Sequence, residues 1–403
     1  MARGRGGFIG QDGLNAPDSP TGVSGAAGNS QVTVSFTAPT DVGGSAITGF
    51  RAQSNTGVGA SGSSSPITVT GLSNGTAYTF NVWAINAFGY SAPSDASGGV
   101  TPLNPFAAAT AYFMGGSGSN VTIDYVHIQT TGNATDFGDL AQGKDFLAVS
   151  SSSTRAIITG FETSGATAND IDKLDLTTTG NSADFGELTQ NSQWGGGAVS
   201  NGTRGVHKIG YGTGVSLGNA IEYVTIASDG NSTDFGDSTI IVYAACGQCM
   251  NSTTRGLFAG GGYASNVKAN VIEYITIAST GNATDFGDLT QATIGSGGAS
   301  NSTRAIIVGG DRSGGENSNV MDYVTIASTG NATDFGDLTV GRRYTSASAD
   351  STRLVIGGGD SGSDSNVIDY VTIGTTGNAT DFGDLTVARK GVSAASNAHG
   401  GIS

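Results

Sequence analysis

The stretch GNATDFGDL, residues 132–140, is followed along the chain by five close copies of itself. Its Asp-Phe-Gly triplets begin at Asp136, Asp184, Asp234, Asp285, Asp334 and Asp381, at intervals of 48, 50, 51, 49 and 47 residues. Self-similarity at so regular a spacing marks a unit of several secondary-structure elements that recurs along the chain. One full copy reads NSTRAIIVGGDRSGGENSNVMDYVTIASTGNATDFGDLTVGRRYTSASA. It holds four strand candidates in turn: a small, polar one such as TSASA, then AIIVGG, MDYVTI and TDFGDL.

Four short strands in about 49 residues fit one blade of a β-propeller. Six copies over residues 107–403 therefore predict six blades. The ends of this region support closure. TAYFMGG (residues 110–116) matches a second strand with no first strand before it, and KGVSAASNAHGGIS at the C-terminus matches a first strand and stops. The last segment is expected to complete the first blade and leave no free edge. The order of features resembles a kelch repeat. Glycine doublets stand at Gly115-Gly116, Gly261-Gly262, Gly309-Gly310 and Gly358-Gly359. A third-strand tyrosine follows at Tyr125, Tyr223, Tyr274, Tyr323 and Tyr370, with Leu174 breaking the series, and Phe stands where that family has Trp.

Asp-Phe-Gly also occurs in protein kinases, where it holds magnesium. A kinase needs one triplet, a phosphate-covering loop, a strand lysine and an acidic catalytic loop. Here there are six triplets and none of those partners. The repeated words have a local explanation: Asn, Thr and Asp supply turns, Phe enters the space between blades, and Gly lets neighbouring backbone pass close. The acids three apart, such as Asp136 and Asp139, raise the question of calcium. That ion takes six to eight oxygens, and two carboxylates on a strand, directed to opposite faces, are too few. No metal and no cofactor is predicted.

The chain has 403 residues, 67 of them Gly and only 7 Pro. Glycine without a Gly-X-Y period, set among Val, Ile and aromatic residues, reads as short strands and tight turns. No stretch has sustained apolar residues at helical spacing, so the chain is predicted to be all-β. The net charge is -15 and the pI about 4.3. Residues 1–103 carry three Arg and four Asp, and residues 104–403 fourteen basic against twenty-eight acidic side chains. Nucleic acid and anionic membranes would be repelled by the larger part. The N-terminal MARGRGGFIGQDGLNAPDSP has no apolar segment and predicts no secretory signal. No run approaches the length of a membrane span. The chain is thus expected to fold in a cytoplasm, with two Cys too few for a disulfide framework.

Residues 16–103 alternate like strands, beginning with QVTVSFTAP, where Val32, Val34 and Phe36 share a face, and a β-sandwich is predicted. This segment resembles a fibronectin type III domain. The resemblance rests on Pro17, Pro20, Phe36 (usually Trp), Pro39, Phe50 and the block GLSNGTAYTFNVWAINAFGYSAPS. In that block Leu72, Thr76, Tyr78, Val82, Ala84, Asn86, Gly89 and Ser94 fall in family register, and Tyr78 would pin the later strands. Such domains usually serve as spacers or adhesive modules.

Other candidates for chemistry read as structural. Asn-X-Ser/Thr sites such as Asn133, Asn251, Asn282 and Asn331 supply turns and caps. CGQC (residues 246–249) sits where other copies have small residues and has no second pair for zinc. His127, His207 and His399 occupy different repeat positions and form no cluster.

Loops after the second and fourth strands should share one side of the disc and vary in length and content. Those after the first and third, SNSTR and ASTGNATD, hardly change. Recognition is usually carried on varied loops of a rigid scaffold. Phe146, Phe161, Trp194, Tyr211, Tyr243, Tyr263, Arg312, Arg343 and Tyr344 are the predicted contacts, since aromatic and Arg residues anchor interfaces and aromatic faces suit sugars. The arm, the sandwich and the TDFGDL blades together resemble structural proteins of marine cyanophage virions. That resemblance implies a tail fibre or appendage, with residues 1–15 (Arg3, Arg5, Phe8 and Ile9 among them) docking onto other virion proteins. The propeller would meet host glycan or protein, and several copies would be free to associate on the particle. Alternatives are a capsid or tail decoration protein, a bacterial adhesin, and a carbohydrate-active propeller enzyme. The enzyme would need acids converging at the disc centre, where the strands are mostly Gly, Ala and Ser, so no catalysis is predicted.

Overall fold

The computed structural model describes residues 15–118, 120–160, 168–192, 195–210, 219–240, 250–263, 267–312 and 317–399. It is all-β apart from one short 3-10 turn, Pro105–Ala107, and divides into two compact units, Met1–Ala107 and Ala108–Ser403.

The first unit is two antiparallel sheets. One joins Thr21–Gly28, Gln31–Thr37 and Ile67–Thr70, and the other joins Gly59–Gly62, Gly49–Ser54, Phe80–Asn86 and Gly89–Tyr90. The period-two pattern decides what is inside. Val32, Val34, Phe36, Phe50, Ala52, Phe80, Val82 and Ala84 are buried in one core, and Phe36 meets Phe50 at 4.8 Å. After Tyr90 the chain closes the second sheet with a period of three rather than two. Ser91, Ser94 and Ser97 each turn a side-chain oxygen to a backbone N–H, of Ala84 (3.0 Å), Val82 (2.9 Å) and Phe80 (3.0 Å). Their own N–H groups donate to the carbonyls of the same three residues. Three residues per turn is the polyproline repeat, and it leaves no bare edge on Phe80–Asn86.

Among the described residues, the second unit holds six sheets. The first is ordered Ser393–Ser396, Thr110–Met114, Thr122–His127, Thr135–Asp139. The pairing expected between the two ends of this unit is present: Ser393, Ala394, Ala395 and Ser396 face Met114, Phe113, Tyr112 and Ala111. The other sheets lie within residues 148–192, 198–237, 255–294, 297–337 and 346–384. In the fourth, the segment with CGQC lies outside the described residues, and the far side gains the short strand Asp311–Arg312 from the next copy.

Each Asp-Phe-Gly carries a β-bulge. Asp136 pairs with Asp124 but Gly138 with Ile123, so Phe137 is the extra residue, and the other five copies slip at the same place. The bulge corrects one expectation. Asp136 and Asp139 are in register with Asp124 and Thr122, which stand two apart, so the two acids share one side of the sheet. The Phe is buried between neighbouring sheets: Phe335 packs with Leu354, Ile356, Val371 and Ile373 of the sixth sheet.

A second correction concerns the tyrosine series. Tyr223 faces Val206 and Lys173 faces Ile157 in equivalent pairings, so the second copy has Lys173, not Leu174, at the tyrosine position. Elsewhere the tyrosine meets the Phe of its own sheet edge-on at about 6 Å. In the third to sixth sheets an Arg lies over its face, at 4.3–4.5 Å. Without the ring, Lys173 turns to Asp229 of the third sheet, which also binds Arg155 at 3.2 Å. The hydrogen bond from Lys173 holds the Asp229 carboxyl below the usual carboxylate range.

Neighbouring sheets are tied by the repeated words themselves. The Gly180 N–H donates to the Phe137 carbonyl (3.0 Å), and the Asp139 N–H to Asn181 Oδ1 (3.0 Å). Equivalent pairs join every successive couple of sheets and tie the sixth to the first: Gly132 N–H to Phe382 O (2.8 Å) and Asp384 N–H to Asn133 Oδ1 (3.2 Å). The exposed edge of each fourth strand is thereby covered. Arg155, Arg204, Arg255, Arg304 and Arg353 donate to the carbonyls of Ile226, Ile277, Ile326, Ile373 and Ile128 in the sheet that follows. The first sheet has no such Arg, and there the Tyr112 hydroxyl donates to Leu176 O (2.7 Å).

Candidate binding surface

Each third strand carries a buried carboxylate at one position: Asp124, Asp172, Glu222, Glu273, Asp322 and Asp369. A buried charge requires a partner. Arg389, Lys144 and Arg342 reach Asp124 (3.0 Å), Asp172 (2.9 Å) and Asp369 (2.7 Å) from the same slot, eight residues after their Asp-Phe-Gly aspartate. In the other copies that slot is Ser192, Val242 or Thr293. Lys208 then serves Glu273, and Arg312 serves Asp322 at 3.1 Å. Glu222 is held by Thr189 and Ser232. Burial lowers the pKa of Lys208, which Glu273 opposes. These groups hold sheets together and face no solvent. Arg312, expected as a surface contact, is one of them: only 4% exposed, with its guanidinium turned in to Asp322.

The heads of the first strands form a second feature. Tyr344 N–H donates to Gly295 O (2.5 Å), Gly391 N–H to Tyr344 O (2.9 Å), Phe146 N–H to Gly391 O (2.9 Å) and Gly195 N–H to Phe146 O (2.8 Å). This chain of bonds passes through the fifth, sixth, first, second and third sheets in turn. It borders a hollow of about 30 Å³ that also touches Leu147, Thr345 and Val392, room for a water molecule or two. Phe146 and Tyr344 meet over it edge-on, 5.0 Å between centroids, and Arg343 lies 5.1 Å from the Tyr344 ring. Both aromatic residues are half-buried.

Arg343 begins a chain of charges across the same surface. It binds Asp311 (3.5 Å) and Asp360 (3.2 Å). Lys268 also holds Asp311 (2.6 Å), and Lys390 lies 3.7 Å from both Asp360 and Asp364. Burial works against the charge on Asp360, but the Gly362 N–H, Arg343 and Lys390 hold its carboxyl below the usual range. Asp145, beside Phe146, has a buried oxygen with no partner, and burial pushes its pKa up to about 6.

Of the predicted contacts, the structure thus brings together Phe146, Arg343 and Tyr344. Tyr263 pairs through its backbone with Val267. Phe161, Trp194, Tyr211 and Tyr243 lie outside the described residues, as do Arg3, Arg5, Phe8 and Ile9. Asp145, Asp360, Asp364 and Lys390 were not anticipated. The available signal was the count from each Asp-Phe-Gly aspartate, which places Asp145, Arg343 and Lys390 at one repeat position.

His207 is fully enclosed. Its Nε2 lies 2.9 Å from Ser150 Oγ and its Nδ1 3.0 Å from Thr159 Oγ1, and burial pushes its pKa down to about 3. A serine beside a histidine suggests acyl transfer, but no carboxylate orients this ring and all three side chains are buried. The ring fills a polar gap between the second and third sheets. Among the described residues, no group of three or more His, Cys, Asp or Glu side chains is placed to hold a metal.

Residues 18–99 match the fibronectin type III domain family. The first unit contains a fibronectin type III domain. In this fibronectin domain the Tyr78 oxygen accepts the Ser73 N–H at 3.0 Å, as the family's tyrosine corner implies. Its exposed aromatics, Phe88 and Tyr90, lie at the hairpin after Asn86. Among solved structures, the crystal structure of domains A168-A170 from titin is similar at 31% identity, with a TM-score of 0.21, over 22% of this chain and 32% of that chain. This chain therefore spans about a third of the titin fragment. No curated protein matches it.

Proposed function

We propose that residues 107–403 form a six-bladed, kelch-like β-propeller, and that the protein is a non-catalytic structural component of a cyanophage virion. In this reading it is a tail fibre or other appendage that meets the host surface through the varied loops, while residues 1–15 dock onto the particle. The pairing of Ser393–Ser396 with Thr110–Met114 supports the propeller, as do the ties from the sixth sheet to the first.

One observation carries the functional part: the two sides of the repeat use their residues differently. The constant words TGNATDFGDL are taken up in bonds between sheets. The varied side gathers Phe146, Tyr344, Arg343 and Lys390 where part of each is exposed. Rigid scaffolds that present a few aromatic and cationic side chains are suited to recognition.

Fluorescently labelled protein mixed with cyanobacterial cells and, separately, with virion particles tests this reading. Labelling of cells is the expected result. Labelling of capsids or tails alone would replace it with a decoration protein that binds only other virion subunits.

A further inference from the structure

The two outer faces of the fibronectin domain are made differently. On the sheet of Gln31–Thr37 and Ile67–Thr70, the residues that alternate with the core are hydroxyl-bearing, Thr33, Ser35, Thr68 and Thr70. On the other sheet the same alternation turns out Arg51 and Gln53 from one strand and Asn81, Trp83 and Ile85 from the next. Register sets Arg51 directly across from Trp83, and Ile85 between Gly49 on one side and Tyr90 on the other. Gly49 has no side chain to cover Ile85. Tyr90 is 56% exposed, and Phe88 beside it in the hairpin 49%. Apolar surface gathered in this way marks an interaction site, and Trp, Tyr and Phe are the residues enriched at the centres of interfaces.

The charges around this strip are few. Arg51 is the only Lys or Arg in residues 15–103, and it enters no ion pair among the described residues. Ser94 is bonded to Val82, so the exposed Asp95 that follows it stands on the far side of the Trp83 strand from Arg51. The other two described carboxylates of the domain, Asp18 and Asp41, stand together beyond the Asn86 end: the Asp18 N–H donates to Asp41 O, and Asn86 to Val42 O. The amides of Gln53 and Asn81 are taken up by Gly57 O and Ser94 O. An apolar strip thus has one cation on one flank and one carboxylate on the other.

Such a face is complementary to itself. A twofold axis running along the strands, between two facing copies, lays the Arg51 strand of one over the Asp95 segment of the other. Asp95 is set two residues along from the level of Arg51, about 6 Å, a span that the Arg side chain covers. Each Arg51 then meets the partner copy's carboxylate, and the apolar strips meet between the two pairs. A twofold contact repeats every such pair. We infer that the protein associates as a dimer of two chains through this outer face of the fibronectin domain. The face is about 20 Å across, from strand spacing and rise, which is small for a specific interface, so the association is weak and reversible. The inference does not rest on the host-recognition reading, since it is read from the purified chain alone.

Sedimentation equilibrium of the full chain between about 1 and 100 µM tests it. The mass should climb from 40.0 kDa towards twice that value, and added salt should weaken the rise. Tyr90→Ser should weaken association at least tenfold with the melting temperature unchanged. Arg51→Asp and Asp95→Arg should each do the same, because like charges would then face each other, and the two together in one chain should restore it. A chain that stays monomeric throughout would overturn the inference. A dimer indifferent to all three variants would place the contact elsewhere and overturn it too, and so would a double reversal that fails to restore what each single reversal removes. If a reversal does not fold, Tyr90→Ser decides, because that side chain is mostly in solvent. A monomer whose binding to virion particles is lost in Tyr90→Ser would give this face to another protein and end the inference.

Discussion

Gly138 lies so close to Gly180 of the next sheet that a Cβ added to it would stand 2.2 Å from the Gly180 carbonyl oxygen. Its φ of 151° is also one that side-chain-bearing residues avoid. The glycine of Asp-Phe-Gly is thus set by the neighbouring sheet, not by chemistry at a metal. Gly138→Ala should destabilise the second unit by about 1–3 kcal/mol, the usual cost of overpacking, or more with the backbone strain. Gly374→Ala, where nothing lies within 4 Å and no unusual φ is needed, should leave the urea midpoint nearly unchanged. Equal effects at the two sites would contradict the packing argument.

The sequon asparagines that precede Asp-Phe-Gly act as acceptors between sheets. Asn282→Ala removes the acceptor for the Asp237 N–H and should cost about 1 kcal/mol. Asn282→Asp keeps an oxygen in place and should cost less. Combined with Asn133→Ala, which lies in another pair of sheets, the losses should add. Chemical denaturation of the wild-type protein, the three single variants and the double variant measures this, and an Asp variant as damaged as the Ala variant would argue against the hydrogen bond.

Arg342 and Asp369 are both fully buried and paired at 2.7 Å. Arg342→Met strands a carboxylate that keeps only the Thr339 hydroxyl (2.6 Å) and should cost about 3–5 kcal/mol. Arg342→Met with Asp369→Leu removes both charges and should recover most of that loss. A double variant no more stable than Arg342→Met would show that the pair itself supplies the stability.

The sequence displays its period, its strands and the spacing roles of Phe137 and Gly138, because these depend on local words that repeat. It conceals whatever compensates across space. The cation for the buried carboxylate moves from the Arg342 slot to Lys208 or Arg312 in other copies, so no single alignment column predicts it. Tyr112 replaces an Arg from a different strand position. The exchange of Tyr for Lys173 is visible only once the register across the strands is known. At the candidate surface, Phe146 and Tyr344 were picked out by residue type, whereas Arg312 was misjudged because its neighbour in space, Asp322, was not visible.

His207 gives a pH prediction with a definite sign. Its folded pKa, about 3, lies below the ordinary value of 6.5, so the unfolded chain takes up the proton first as pH falls. Its contribution is complete above pH 6.5 and should decline between 6.5 and about 3, by up to roughly 1.4 kcal/mol per pH unit. The difference in stability between the wild-type protein and His207→Gln should therefore shrink across this range. A difference constant with pH would mean that the ring is accessible to protons in the folded protein.

The account depends most on the two ends of the second unit sharing one sheet. Amide hydrogen exchange at residues 393–396, resolved by mass spectrometry, reads this directly. Ala394 and Ala395 pair with Phe113 and Tyr112 and should exchange as slowly as the central strand Arg304–Val308, opening only with global unfolding. Exchange of residues 393–396 at the rate of an unstructured chain, while Arg304–Val308 stays protected, would contradict it.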